Sequence, residues 1–173
     1  ASALFGGNAM NGVINIITKT PEQLRGPLLS VTQGERKDSV VSALFGRRKG
    51  PASYKVGLGR RSVDMFGDAS RQASAVAKAH GWAGWDFGPK SRLSLSGGIA
   101  DHDVQINSGP SYDSGSTQFL RTDFRRESAR ARFFWNRGRV NLRDNPLFFN
   151  LQYDSYDFSV ENSLELPWRN TLT

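Results

Sequence analysis

Two histidines, His80 and His102, are the only imidazoles in the chain, and Asp101 and Asp103 flank the second. A carboxylate beside an imidazole can ligate a divalent cation, but a closed site needs further ligands at a defined spacing. No such spacing follows His102, so a polar cluster at a strand rim is the simpler expectation, with His80 on a wall. Cysteine is absent, which removes disulfides, thiolate metal sites and cysteine nucleophiles. Gly6-Gly7 and Gly97-Gly98 lack the strand-to-helix context of a phosphate loop. No nucleophile elbow or paired-acid signature occurs. The chain is therefore expected to be no enzyme, with no cofactor and no metal. Two sets of residues remain for binding. Arg92, Arg130 and Arg132 could draw an anionic ligand, although hydrogen bonds to acidic neighbours such as Glu161 and Glu165 are the plainer role. Tyr112 and Phe119 offer rings on a predicted loop from His102 to Arg126, where recognition is often carried.

Period-two patterning must position these residues. From Ser74 to Phe87 one face carries Ala75, Ala77, Ala79, Gly81, Ala83, Trp85 and Phe87, and the other carries Ser74, Lys78, His80, Gly84 and Asp86. Successive side chains of a strand point to opposite faces, so the segment reads as one long strand. Tyr54, Val56 and Leu58 interleave with Lys55, Gly57 and Gly59; Leu93, Leu95, Gly97 and Ile99 with Arg92, Ser94, Ser96 and Gly98. Ala129, Ala131, Phe133 and Trp135 likewise oppose Arg130, Arg132, Phe134 and Asn136, and Phe158, Val160, Leu164 and Leu166 oppose Ser159, Glu161, Ser163 and Glu165. The pattern predicts eight strands, near 28–34, 39–48, 53–61, 73–87, 91–101, 127–140, 147–154 and 158–166. Tight turns are expected at Lys49 to Ala52, Gly88 to Lys90, Leu142 to Pro146 and Pro167 to Asn170. Longer loops are expected at Ser62 to Gln72 and His102 to Arg126, with short connections at Glu35 to Asp38 and Ser155 to Asp157.

The formal charge is +7, from 23 Lys and Arg against 16 Asp and Glu. Such a balance raises nucleic acid or an anionic surface as a partner. The cations, however, are scattered among apolar and aromatic segments, which argues against a nucleic-acid footprint. No run of 18 apolar residues is present. A transmembrane helix is thereby excluded, whereas a transmembrane strand of about 9–11 residues would escape that test. Lys55, Lys78, His80, Arg92, Arg130, Arg132, Glu161 and Glu165 all fall opposite the apolar positions, as expected where one face meets lipid and the other water. Trp82, Trp85, Trp135 and Trp168 lie toward segment ends, compatible with an interfacial girdle. A soluble sheet with one dry face would also alternate. Ala75, Ala77 and Ala79 would make a thin sandwich core, an unevenness that lipid tolerates. The opening Ala1-Ser2-Ala3 has no initiator Met and no signal-peptide pattern, so an internal stretch of a longer chain is expected.

The run Ala1 to Lys19 resembles the final motif of the plug domain in TonB-dependent outer-membrane receptors. Members of that family typically have a small-residue turn, an aromatic-Gly pair, an Ala, and then a Gly leading into a Val-Ile-Asn-Ile-type strand. Phe5-Gly6, Ala9 and Gly12-Val13-Ile14-Asn15-Ile16 match those places. The resemblance is close over residues 1–19 and by pattern thereafter. It implies an all-β fold: residues 1–22 end a plug domain, and 23–173 open an antiparallel transmembrane barrel of 22 strands in the family. It implies location in the bacterial outer membrane, with lipid around the wall. It also implies active uptake of a scarce substrate, commonly an iron-siderophore or a related metal complex. Coupling to TonB of the inner-membrane energising complex would run through a part of the parent chain not present in this sequence.

Three classes are thus in play. A TonB-dependent transporter leads. A non-transporting outer-membrane or adhesive β-domain would lack the plug and the further barrel. A soluble nucleic-acid-binding β-domain would show salt-sensitive binding to DNA or RNA.

Overall fold

The computed structural model describes residues 19–24, 26–35, 38–65, 68–105, 112–143, 149–165 and 171–172. The plug-like residues Phe5, Gly6, Ala9, Gly12, Val13 and Asn15 lie outside the described residues, as does Trp168. The chain is all-β. Eight strands run antiparallel in sequence order in one sheet: β1 (Leu28–Gln33), β2 (Ser39–Lys49), β3 (Ala52–Met65), β4 (Asp68–Asp86), β5 (Ser91–Gln105), β6 (Tyr112–Arg126), β7 (Ala129–Arg143) and β8 (Phe149–Asn162). The sheet is open, because β1 and β8 are its two edges and do not pair. A separate two-stranded ladder joins β9 (Leu164–Glu165) to β10 (Thr171–Leu172).

The number of sheet strands agrees with the sequence expectation, but two errors offset each other. The predicted loop from His102 to Arg126 is mostly strand: β5 continues to Gln105 and β6 occupies Tyr112–Arg126. The two strands predicted at 147–154 and 158–166 are one, β8, which passes straight through Ser155 to Asp157 and ends at Asn162. Both corrections have one cause. Small or short polar residues such as Ser114, Gly115, Ser116 and Thr117 read as loop in isolation, yet neighbouring strands supply ladder partners at every one of them. The Ser62 to Gln72 loop likewise shrinks, with β3 reaching Met65 and β4 beginning at Asp68 across an irregular register near Asp64. With β6 in place, the Glu127-Ser128 turn joins the rim of Gly50-Pro51 and Gly88 to Lys90; of the turn expected at Leu142 to Pro146, Leu142 and Arg143 belong to β7 and the rest lies outside the described residues, as does the turn expected at Pro167 to Asn170.

Local chemistry explains the turns on that first rim. Gly50 has φ 60 directly before Pro51, the positive value that a two-residue II′ hairpin needs at its first central position.

The register makes the alternation two-sided across the whole sheet. One row reads Arg47, Tyr54, Ala83, Leu95, Thr122, Phe133, Phe158; the next reads Lys49, Ala52, Trp85, Leu93, Phe124, Ala131, Val160. These rows belong to an apolar face that is exposed: Leu58 keeps 56% of its surface accessible, Leu95 48% and Phe158 71%. Among the described residues Leu24, 7% exposed, is the one buried hydrophobic side chain. It sits against Gly46 on the other, polar face, beside the 3₁₀ turn Pro21–Gln23. Lys55, 9% exposed, anchors that segment by donating from Nζ to the Lys19 carbonyl at 2.8 Å.

On the polar face, large side chains lie over glycines of the neighbouring strand. His80 covers Gly57, Phe119 covers Gly98, His102 covers Gly115 and Tyr153 covers Gly138, and each is a directly opposed pair. A ring laid over a glycine shields backbone that would otherwise have no side-chain cover. Predicted alternation placed Gly57, His80 and Gly98 on one face, but Gly115 and Phe119 fell in the predicted loop, the pairings were not foreseen, and His102 sits within β5 rather than at a rim. Gly57→Ala should destabilise the fold by about 1–3 kcal/mol by displacing the ring. In a His80→Ala background the same change should be neutral or stabilising by roughly 0.5–1 kcal/mol. Denaturant unfolding of the four variants checks the sign reversal.

Candidate functional site: a charged basin on the polar face

Strand ends at the tight-turn rim bring the charged residues together. Asp86, Arg92, Arg125, Arg130 and Glu161 form one cross-strand row, and Arg48, Ser53, Gly84, Ser94, Asp123, Arg132 and Ser159 form the next. The first row, with Ser94 and Asp123 of the second and with Trp82, Lys90 and Arg121, borders a basin of about 1480 Å³ on the polar face.

The guanidinium groups are held by carboxylates. Arg48 meets Asp86 at 2.9 Å and Glu22 at 3.5 Å, and Arg92 approaches the second Asp86 oxygen at 3.5 Å. Arg92 also donates to the buried Ser53 hydroxyl at 3.2 Å and lies 5.2 Å from the Trp82 ring centre, a cation–π distance. Asp123 accepts from Arg130 Nε at 2.9 Å and draws in Arg121 at 3.7 Å. Arg132 pairs with Glu161. The first chain of contacts therefore runs Glu22, Arg48, Asp86, Arg92, and ties the 3₁₀ turn to β2, β4 and β5. Glu22 stands outside the sheet. Its carboxyl is held below the ordinary value chiefly by a backbone hydrogen bond, helped by the Thr20 side chain and by Arg48. Its contribution to stability is complete above the normal carboxylate range and is lost as pH falls through the lowered value.

The structure thus gathers Arg92, Arg130 and Arg132 at one end of one face, and gives each an acidic partner. Those pairs match the plainer role expected from sequence, with Asp86 and Asp123 as partners beyond Glu161; the side chain of Glu165 is outside the description. Tyr112 and Phe119 are not on a loop. Tyr112 opens β6, and Phe119 lies mid-strand on the polar face over Gly98, away from the basin. Sequence reasoning missed Arg121 and Asp123 because they fell in the supposed loop. The alternation of Leu120, Thr122 and Phe124 with Phe119, Arg121 and Asp123 was the available signal. Among the described residues no group of three or more His, Asp or Glu side chains is placed to hold a metal ion.

Two shallower hollows mark the apolar face, where Ala77, Ala79, Gly81 and Gly97 leave troughs beside Leu58, Ile99, Leu120 and Trp135. No protein-family model, curated protein or solved structure matches this chain.

Both partners of the Asp86–Arg92 pair remain partly exposed, 23% and 41% at the side chain, so solvent screens it. A double-mutant cycle with Asp86→Ala and Arg92→Ala should give a coupling of roughly 0.2–1 kcal/mol. That coupling should fade in concentrated salt, as read by denaturant unfolding at two ionic strengths.

Proposed function

We propose that this chain is a section of outer-membrane β-barrel wall from a TonB-coupled receptor that imports a scarce substrate, with an iron-siderophore or related metal complex as the substrate class. The observation that carries the membrane half of this reading is the inversion of burial. A sheet dissolved in water buries its apolar face, yet here Val41, Leu58, Trp85, Leu95, Phe124 and Phe158 of that face are exposed, while Ser53 and Lys55 are buried on the other, where most of the ion pairs lie among a few apolar side chains such as Phe134 and Leu151. Hydrocarbon suits the exposed face because acyl chains fill the troughs over Ala77, Ala79 and Gly81 without complementary packing.

The band of apolar side chains also crosses the strands obliquely. Its centre is near Ala43 on β2 and near Phe158 on β8, and the Phe158 row leads back to Arg47, four residues along from Ala43 (47 − 43). Over the six strand spacings from β2 to β8 that is about 13 Å along the strands against about 29 Å across them, a slant of about 25°. Membrane barrels need strands tilted to the membrane normal, usually by about 35–45°. The slant has the character of tilted strands crossing a flat slab.

The transport half rests on the resemblance of Phe5-Gly6, Ala9 and Gly12 to Ile16 to a plug terminus. It accords with the position of Lys19 to Leu24, which lie on the polar face where a plug would be housed. In this reading the arginines of the basin are structural first, and any attraction of an anionic substrate comes from the field they leave after pairing. A non-transporting outer-membrane barrel shares the wall but needs no plug or energy coupling.

Two measurements separate these readings. Leu95→Arg should cost about 2–4 kcal/mol in a bilayer if Leu95 is near the midplane, whereas Ser96→Arg on the opposite face should cost little. Equal tolerance in lipid-reconstituted protein would remove the membrane assignment. The intact mass of the mature polypeptide from fractionated outer membranes should be several times that of this chain; a mass near 19.1 kDa would undercut the transport assignment.

A further inference from the structure

The apolar face ends differently at its two rims. Beyond the band on the rim opposite the tight turns, its outward positions hold Arg60, Arg137 and Arg139 but also Asp101, Asp103 and Asp154, and Arg137 is paired with Asp154 at 2.8 Å. At the tight-turn rim the outward charges are Arg47, Lys49 and Arg126, all exposed, and no outward carboxylate accompanies them among the described residues. None of these three cations makes a hydrogen bond or ion pair with a described residue. The carboxylates of that rim that line the basin on the other side of the sheet are Asp86, Asp123, Glu127 and Glu161, Glu127 from the turn that follows Arg126. Aromatic rings adjoin the cations: Phe45 and Tyr54 meet at 5.9 Å, and Trp85 and Phe87 at 6.5 Å, all four on the apolar face.

Resting on the membrane reading above, we infer that Arg47, Lys49 and Arg126 form a contact line for the phosphate groups of anionic phospholipids in the leaflet on the tight-turn side. The band itself supplies the physical need. Most strands present three or four consecutive apolar outward positions, for example Val56 to Leu58 with Tyr54, or Leu93 to Ile99. That is roughly 13–20 Å along the strand, short of the apolar height of about 25 Å usual for such walls. A short band is completed by long cationic side chains whose stems lie in the acyl layer while their heads reach phosphate. Rings at the same level occupy the headgroup boundary. Unpaired cations with no opposing carboxylate fit an anionic layer, and the balanced opposite rim does not share that preference.

The test uses the full chain partitioned between buffer and large vesicles of phosphatidylcholine, with and without phosphatidylglycerol. Association should be stronger with phosphatidylglycerol by about five-fold for each of the three cations, about a hundred-fold together. Arg47→Gln, Lys49→Gln and Arg126→Gln combined should abolish that increment and keep the association with neutral vesicles. Arg60→Gln with Arg139→Gln, at the other rim, should leave the increment intact. Equal association with both vesicle types, or equal loss from the two sets of substitutions, overturns the inference while the membrane reading stands. Association with neither vesicle removes the membrane reading, and the contact line with it. Inorganic phosphate should weaken the increment no more than chloride of equal ionic strength; specific displacement by phosphate would mean a discrete anion site and would also overturn it.

Discussion

Backbone hydrogen bonding is the constraint on which the rest of this structure depends. Each of β2 through β7 has a paired strand on both sides, so along the paired stretches its N–H and C=O groups are satisfied by other strands without help from water or side chains. That freedom lets a band across one face of the sheet be apolar and uncovered. It also makes the two edges, β1 and β8, the places where the condition is unmet. A hydrocarbon surround would make each unmet group expensive, which is why the proposed wall calls for further strands beyond both edges.

Given continuous ladders, the period of two does the remaining sorting. Arg60, Asp101, Arg137 and Asp154 share the parity of the apolar face and lie beyond its apolar band, while Lys55, Lys78, Arg92, Arg130, Arg132 and Glu161 fall on the polar face. There the charges do not stand alone. Asp86 serves Arg48 and Arg92, and Asp123 serves Arg121 and Arg130, so each carboxylate joins side chains from different positions along the wall. Individually such partly exposed pairs are weak. Their effect is to orient the guanidinium groups around the basin and to attach the segment from Lys19 to Leu24 to the wall through Glu22 and Lys55.

Glycine has a second use on that face. Opposing Gly57 to His80, Gly98 to Phe119 and Gly138 to Tyr153 lets each ring lie flat along the sheet. A wall lined this way keeps bulky groups without filling the space in front of them. The apolar face makes the opposite choice, with small side chains of β4 forming troughs between larger neighbours.

The all-β class, most of the long strands and the shared face of Lys55, Lys78, His80, Arg92, Arg130 and Arg132 were legible in the sequence, because side-chain direction in a strand follows from parity alone. Segments whose polar and small residues blur the pattern were not. β6 begins with Asp113, Ser114, Gly115, Ser116 and Thr117, and β8 crosses Ser155-Tyr156-Asp157; local composition there favours loop or turn, and only ladders to β5 and β7 make both segments strands. The pairings were equally beyond local reach. Parity placed Arg92, Arg130 and Arg132 on one face, but which carboxylate meets each depends on cross-strand register, a relation between residues far apart in the chain that exists only once the sheet has formed.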